Sequence, residues 1–137
     1  MKKFVLIPDS FKGTMSSEQI CSVMSRRIRR HYPDCEIVSI PVADGGEGSV
    51  DAFITALGGE KVWLEVKGPY FEPMQSFYGL IDNGQTAVIE MASCAGLPLV
   101  YGKKNPEITT TYGVGELICD AARSGARRIV IGLGGSA

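Results

Sequence analysis

Val42-Ala43-Asp44-Gly45-Gly46-Glu47-Gly48 is the stretch that decides how this chain of 137 residues folds. It follows a short apolar run, Ile37 to Val42, and precedes a helical pattern, so it lies where a strand passes into a helix. Three glycines let backbone N–H groups approach a ligand without a Cβ in the way, while Asp44 and Glu47 bring carboxylates to the same turn. That combination suits a phosphate held through a metal ion, or a substrate hydroxyl, better than a bare anion. A tight turn with a capped helix start would carry the same letters.

On the amino-terminal side, Phe4-Val5-Leu6-Ile7 is a continuous apolar run, expected to form a strand buried on both faces. The loop Asp9 to Met15 then sits at the strand's carboxyl end, where open α/β sheets place ligands. Ser16 with Gln19 fits a capping box, and Ile20, Val23, Met24 and Ile28 make the apolar stripe of a helix ending near His31-Tyr32-Pro33. His31 is therefore expected at a helix C-terminus and not in catalysis. Beyond the glycine-rich stretch, Val50, Phe53, Ile54 and Leu57 recur at helical spacing until Gly58-Gly59. Residues 1 to 59 thus predict β-α-β-α, the opening of a doubly wound sheet.

The period then changes. Val62, Leu64 and Val66 alternate with Lys61, Trp63, Glu65 and Lys67, as in a half-exposed strand. Gly68-Pro69 turns the chain, Met74 to Ile81 predicts a strand, and Asp82-Asn83-Gly84 a hairpin into Thr86 to Glu90. A domain boundary is expected near Gly59, with residues 60–137 forming the first part of a second α/β domain whose sheet is partly antiparallel. Small residues from Ala92 to Gly96, a helix carrying Leu117, Ile118, Ala121 and Ala122, and a strand from Arg128 to Leu133 return to α/β style. That strand enters Gly134-Gly135-Ser136-Ala137, after which a helix should follow, so the chain is expected to be cut in mid-motif.

Composition narrows the function classes. An apolar fraction of 45% is that of a globular chain, and the net charge is −1. Arg26, Arg27, Arg29 and Arg30 fall within one predicted helix, which leaves no nucleic-acid footprint. Cys21, Cys35, Cys94 and Cys119 show no metal-site spacing and predict reduced cytoplasmic thiols. The run Phe4 to Pro8 is too short for a signal-peptide core or a membrane span. A Rossmann-type oxidoreductase is disfavoured, because Gly132-x-Gly134-Gly135-Ser136 lacks dinucleotide-fingerprint spacing.

Five stretches together resemble bacterial glycerate kinases of the first class. They are Pro8 to Gly13; Pro41 to Gly48; Ala87 to Ala92 with Gly96 to Leu99; Asn105-Pro106 with Thr109 to Gly113 and Gly115 to Leu117; and Ile131 to Ala137. They occur in the family's order and at its spacing, over the whole chain, as an N-terminal portion. The family's chains are roughly 250 residues longer by two-domain arithmetic. The resemblance implies a Rossmann-like domain interrupted by a second α/β domain. It also implies ATP-dependent phosphorylation of D-glycerate, with 2-phosphoglycerate favoured over the 3-isomer, using ATP and Mg²⁺ in the cytoplasm. The fragment alone is expected to be inactive, needing a homodimer partner or a complementing C-terminal segment. The alternative is a non-catalytic ligand-binding or remnant domain.

Phosphoryl transfer needs positioning and electrostatic stabilisation, and no GxxxxGK[ST] loop is present to provide them. Lys12, in a loop at a strand's carboxyl end, is the candidate cation for phosphate or carboxylate, with a solvated lysine as the alternative. Asp44 is the candidate for metal coordination or hydroxyl activation, a role Asp9 and Glu47 could share or replace with simple capping. Gly45, Gly46, Gly134 and Gly135 would supply backbone donors, and Ser10 and Ser136 hydroxyl donors to a substrate carboxylate or phosphate, with local backbone bonding as the alternative for both serines. Glu90, at a strand end, is a site carboxylate or a buried structural acceptor. Thr109 to Thr111 would cap the following helix, with Thr110 a lesser binding candidate.

Overall fold

The computed structural model describes residues 1–100 and 105–137, and the packing divides them into two compact units, Met1–Ala43 and Asp44–Ala137. In the first, β1 (Lys3–Leu6) leads through α1 (Ser17–His31) to β2 (Glu36–Ser39). The two strands pair in parallel, Phe4 opposite Ile37 and Val5 opposite Val38. A parallel pair needs a crossover, and α1 is that crossover. The capping box is present: the Ser16 hydroxyl accepts from Gln19 N–H at 3.2 Å, and Gln19 Oε1 accepts from Ser16 N–H at 2.9 Å. Such a cap is worth about 1 kcal/mol. Arg29, Arg30 and His31 fill the last turn, where positive charge complements the helix dipole. Ser17, the first residue of α1, ties both strand ends together, donating to Pro8 O at 2.6 Å and accepting from Val42 N–H at 3.1 Å.

Leu6, Ile20 and Cys21 are the buried apolar residues of this unit. The expectation that β1 is covered on both faces is corrected here, since Val5 is 52% and Ile7 55% exposed. Successive side chains of a strand point to opposite faces, and α1 covers only one of them.

The second unit is a mixed sheet of four strands in the order β3 (Glu60–Lys67), β4 (Pro73–Ile81), β5 (Thr86–Glu90), β6 (Arg128–Gly132). The first three form an antiparallel meander, and β6 joins parallel to β5. The β4–β5 hairpin turns through Asp82, Asn83 and Gly84, all with positive φ, a conformation Asn, Asp and Gly adopt most easily. α4 (Tyr112–Arg123) crosses from β5 to β6 and packs Val114, Leu117 and Ala121 against Val66, Tyr78, Ala87 and Ile89. The Tyr78 hydroxyl, taken into this core, donates to Asp120 Oδ2 at 2.9 Å.

The opposite face of the sheet meets α2 (Ser49–Leu57), whose Val50 and Ile54 pack on Ile81, Val88 and Phe77. Gly79 permits that approach, because a Cβ there would lie 2.9 Å from Val50 Cγ1. With helices on both sides, every residue of β5 is buried. The boundary expected near Gly59 thus differs from the division of the packing, which falls after Ala43. α2 buries its apolar side against β4 and β5. The short α3 (Ala92–Ala95) follows β5.

Candidate active site

In the second unit, the loop from Asp44 to Gly48 is held by its own backbone. Gly45 and Gly48 take φ of 89° and 90°, which glycine reaches without steric cost. Asp44 Oδ1 accepts from Gly46 N–H at 3.1 Å, and Ser49 Oγ donates to Gly46 O at 2.7 Å. The loop then meets the turn that follows β6, where Gly134 N–H donates to Gly45 O at 2.9 Å. A Cβ at Gly134 would stand 2.7 Å from Gly46 N, and one at Gly132 would overlap Gly45 O. Gly46, Gly132 and Gly134 are glycines where each segment lies in the other's side-chain space, whereas Gly45, Gly48 and Gly135 serve positive φ.

The same turn is anchored from behind. Met91 N–H donates to Gly132 O at 2.9 Å, Leu97 N–H to Gly135 O at 2.8 Å, and Ala137 N–H to Ala95 O at 2.9 Å. Ser136 bridges Gly96 in antiparallel fashion, with its side chain on the exposed surface. Residues 44–48 and 132–136 therefore form one cradle of main chain, from which Asp44 and Glu47 present exposed carboxylates.

Glu90 stands beneath the cradle, 4% exposed at the end of β5. Its Oε2 accepts from Val50 N–H at 3.0 Å, in the first turn of α2, and Gly48 N–H also bonds to it. Gly48, the N-cap residue, has no side chain to do this. Burial pushes the carboxyl above its usual range, and the two N–H donors pull it back part of the way. The structural half of the expectation for Glu90 is what the geometry displays: it caps α2 from a neighbouring strand. Nearby, burial pushes the Cys94 thiol up to about 11, keeping it neutral.

The remaining candidates lie elsewhere. In the first unit, Asp9 Oδ1 accepts from Ser10 N–H at 2.7 Å, while Ser10 Oγ is buried with no hydrogen-bond partner among the described residues. Lys12 is exposed in the tight turn that Phe11 N–H closes onto Met15 O. Thr110 belongs to a different junction of the second unit from the cradle. Its N–H donates to Pro69 O at 2.9 Å, and its hydroxyl accepts from Tyr112 N–H at 3.1 Å at the start of α4. Sequence reasoning missed Ser17 and Ser49, whose only signal was a serine beside a helix start.

Among the described residues there is no group of three or more histidine, cysteine, aspartate or glutamate side chains placed to hold a metal ion. None of the described helices is long and apolar enough to cross a membrane. Glycine-rich turns that converge at strand ends, with carboxylates on the rim, are the layout at which open α/β proteins place small-molecule ligands.

The comparisons narrow that reading. The model described as "Glycerate kinase family" matches residues 4–137. Glycerate kinase of Bacillus subtilis (strain 168) and glycerate 2-kinase of Escherichia coli (strain K12) are each 45% identical over 136 residues. Each alignment covers 98% of this chain and 36% of the relative. A crystal structure assigned as glycerate kinase 2 of Salmonella typhimurium LT2 superposes with a TM-score of 0.77 at 40% identity, over 98% of this chain and 36% of that one. The chain belongs to the glycerate kinase family, a family of phosphotransferases. It spans about 36% of the length of the curated relatives it matches.

Proposed function

We propose that this chain furnishes part of the site of an ATP-dependent glycerate kinase, converting D-glycerate and ATP to 2-phosphoglycerate and ADP in the cytoplasm. The observation that carries the reading is the cradle itself. Two of the family-like motifs, Asp44 to Gly48 and Gly132 to Ser136, are far apart in sequence yet share main-chain contact. In this reading Gly45, Gly46, Gly134 and Gly135 offer backbone N–H groups to phosphate oxygens, with Ser136 beside them. Asp44 and Glu47 fit Mg²⁺, which takes one or two carboxylates, keeps several waters and binds the rest of its shell through phosphate. Bound there, the ion would neutralise charge on the transferring phosphoryl group.

The buried hydroxyl of Ser10, unpartnered among the described residues, and the loop cation Lys12 are assigned to the substrate carboxylate or a phosphate, with Asp9 orienting the loop. Thr110 is a further binding residue, and Glu90 reaches the site only through α2. The groups beyond these come from a complementing segment or from a second copy.

A chimera tests this reading directly. The matching 136 residues of the Bacillus subtilis enzyme are replaced by this chain, and D-glycerate-dependent ADP formation is measured with ATP and Mg²⁺. Turnover is expected from the chimera and none from the chain alone, with phosphorus NMR identifying the 2-phosphate. A folded but inactive chimera would sink the proposal. Asp44→Asn in that chimera is expected to lower turnover about 100-fold or more, and near-normal turnover would remove Asp44 from the reacting centre.

A further inference from the structure

β3 is the edge strand of its sheet among the described residues, and an edge offers unpaired N–H and C=O groups to another chain. Along an antiparallel strand these groups alternate in direction. Gly68 N–H turns toward β4, donating to Glu72 O at 2.7 Å, whereas Lys67 N–H turns away and donates to Glu116 Oε2 of α4, also at 2.7 Å. Lys61, Trp63 and Glu65, on the same alternation as Lys67, therefore direct their main-chain groups outward. The Lys67 end of the edge is closed, because α4 packs its backbone at Gly113 so tightly on Lys67 O that a Cβ there would overlap the oxygen. Among the described residues the open stretch runs from Lys61 to Glu65, with Trp63 at its centre. Trp63 is 58% exposed and rests on Phe77, its cross-strand neighbour, with ring centroids 4.8 Å apart.

We propose that this stretch pairs antiparallel with the same stretch of a second copy, about a two-fold axis at Trp63, joining two four-stranded sheets into one. In that register Lys61 opposes the partner's Glu65 and Glu65 opposes the partner's Lys61, while the two tryptophans face each other across the axis. Three outward positions on each copy supply about six main-chain hydrogen bonds. Moving the axis to Leu64 would set Lys61 against the partner's Lys67, which is already closed by Glu116; moving it to Val62 would set Glu65 against a glycine. Only the Trp63 register pairs opposite charges on both sides and stays clear of the closed end. The surface lies wholly in the second unit and does not depend on the reaction proposed above.

Charge exchange tests it by sedimentation velocity on the purified 137-residue chain at low salt. The wild-type chain is expected to dimerise reversibly. Lys61→Glu and Glu65→Lys, each of which sets like charges opposite one another twice, are expected to weaken the dimer about tenfold or more while circular dichroism stays unchanged. Lys61→Glu also removes an ion pair to Asp51, at 2.8 Å, so the deciding sample is an equimolar mixture of the two variants. There every Glu meets a Lys again, and a heterodimer of near wild-type strength is expected. A monomeric wild-type chain, variants that dimerise as well as wild type, or a mixture that stays monomeric would each overturn the proposal.

Discussion

The two compact units each pack amphipathic helices on a sheet, and they close their cores differently. In Met1–Ala43 one helix covers one face of two parallel strands, leaving Val5 and Ile7 in solvent. In Asp44–Ala137 the sheet is covered on one face by α4 and on the other by α2, and β5 between them is wholly buried. Local propensity makes the elements in both cases. The number of covered faces sets how much each residue contributes.

The largest effect should follow from truncating the doubly covered core. Leu117→Ala, at a site with no exposed surface, is expected to cost about 3–5 kcal/mol in urea unfolding, whereas Leu6→Ala in the singly covered unit should cost nearer 2 kcal/mol. Equal losses would mean that the two units are packed alike and that the comparison fails. Gly132→Ala comes next, since its Cβ would overlap Gly45 O: a loss of about 2 kcal/mol is expected, with amide shifts at Gly45 and Gly46 reporting a displaced cradle. Unchanged shifts would show that the two motifs are not in contact.

The smallest effect concerns charge. Glu90 is held above its ordinary value of 4.5 in the folded chain, so its protonated form favours folding. That contribution is fully present below about pH 4.5, the unfolded value, and is lost as pH rises through the raised folded value. Glu90→Gln should remove this part of the pH dependence, while its side-chain oxygen still accepts from Val50 N–H. Identical pH profiles for wild type and Glu90→Gln would show that the carboxylate is not desolvated.

Much of this was legible in the letters. The Ser16 and Gln19 pair announced the start of α1, the period of two in residues 61–67 announced β3, and Asp82-Asn83-Gly84 announced the hairpin, because each is a local relation between neighbours. The glycine-rich stretches and their carboxylates were visible as candidates for the same reason. What one stretch does to another was not. The apolar run of β1 looks the same whether one face or both are covered, and the stripe of α2 does not say which sheet it packs on. Glu90 serves a helix that begins 41 positions earlier with an N-cap glycine, and Gly132 and Gly134 are required by a loop far back in the chain. Sequence by itself determined the elements, their order and the family-like motifs, since dihedral preference, capping and periodicity act over a few residues. Tertiary structure alone decided which faces are buried and which glycines must touch, because burial and close approach exist only between segments the fold has brought together.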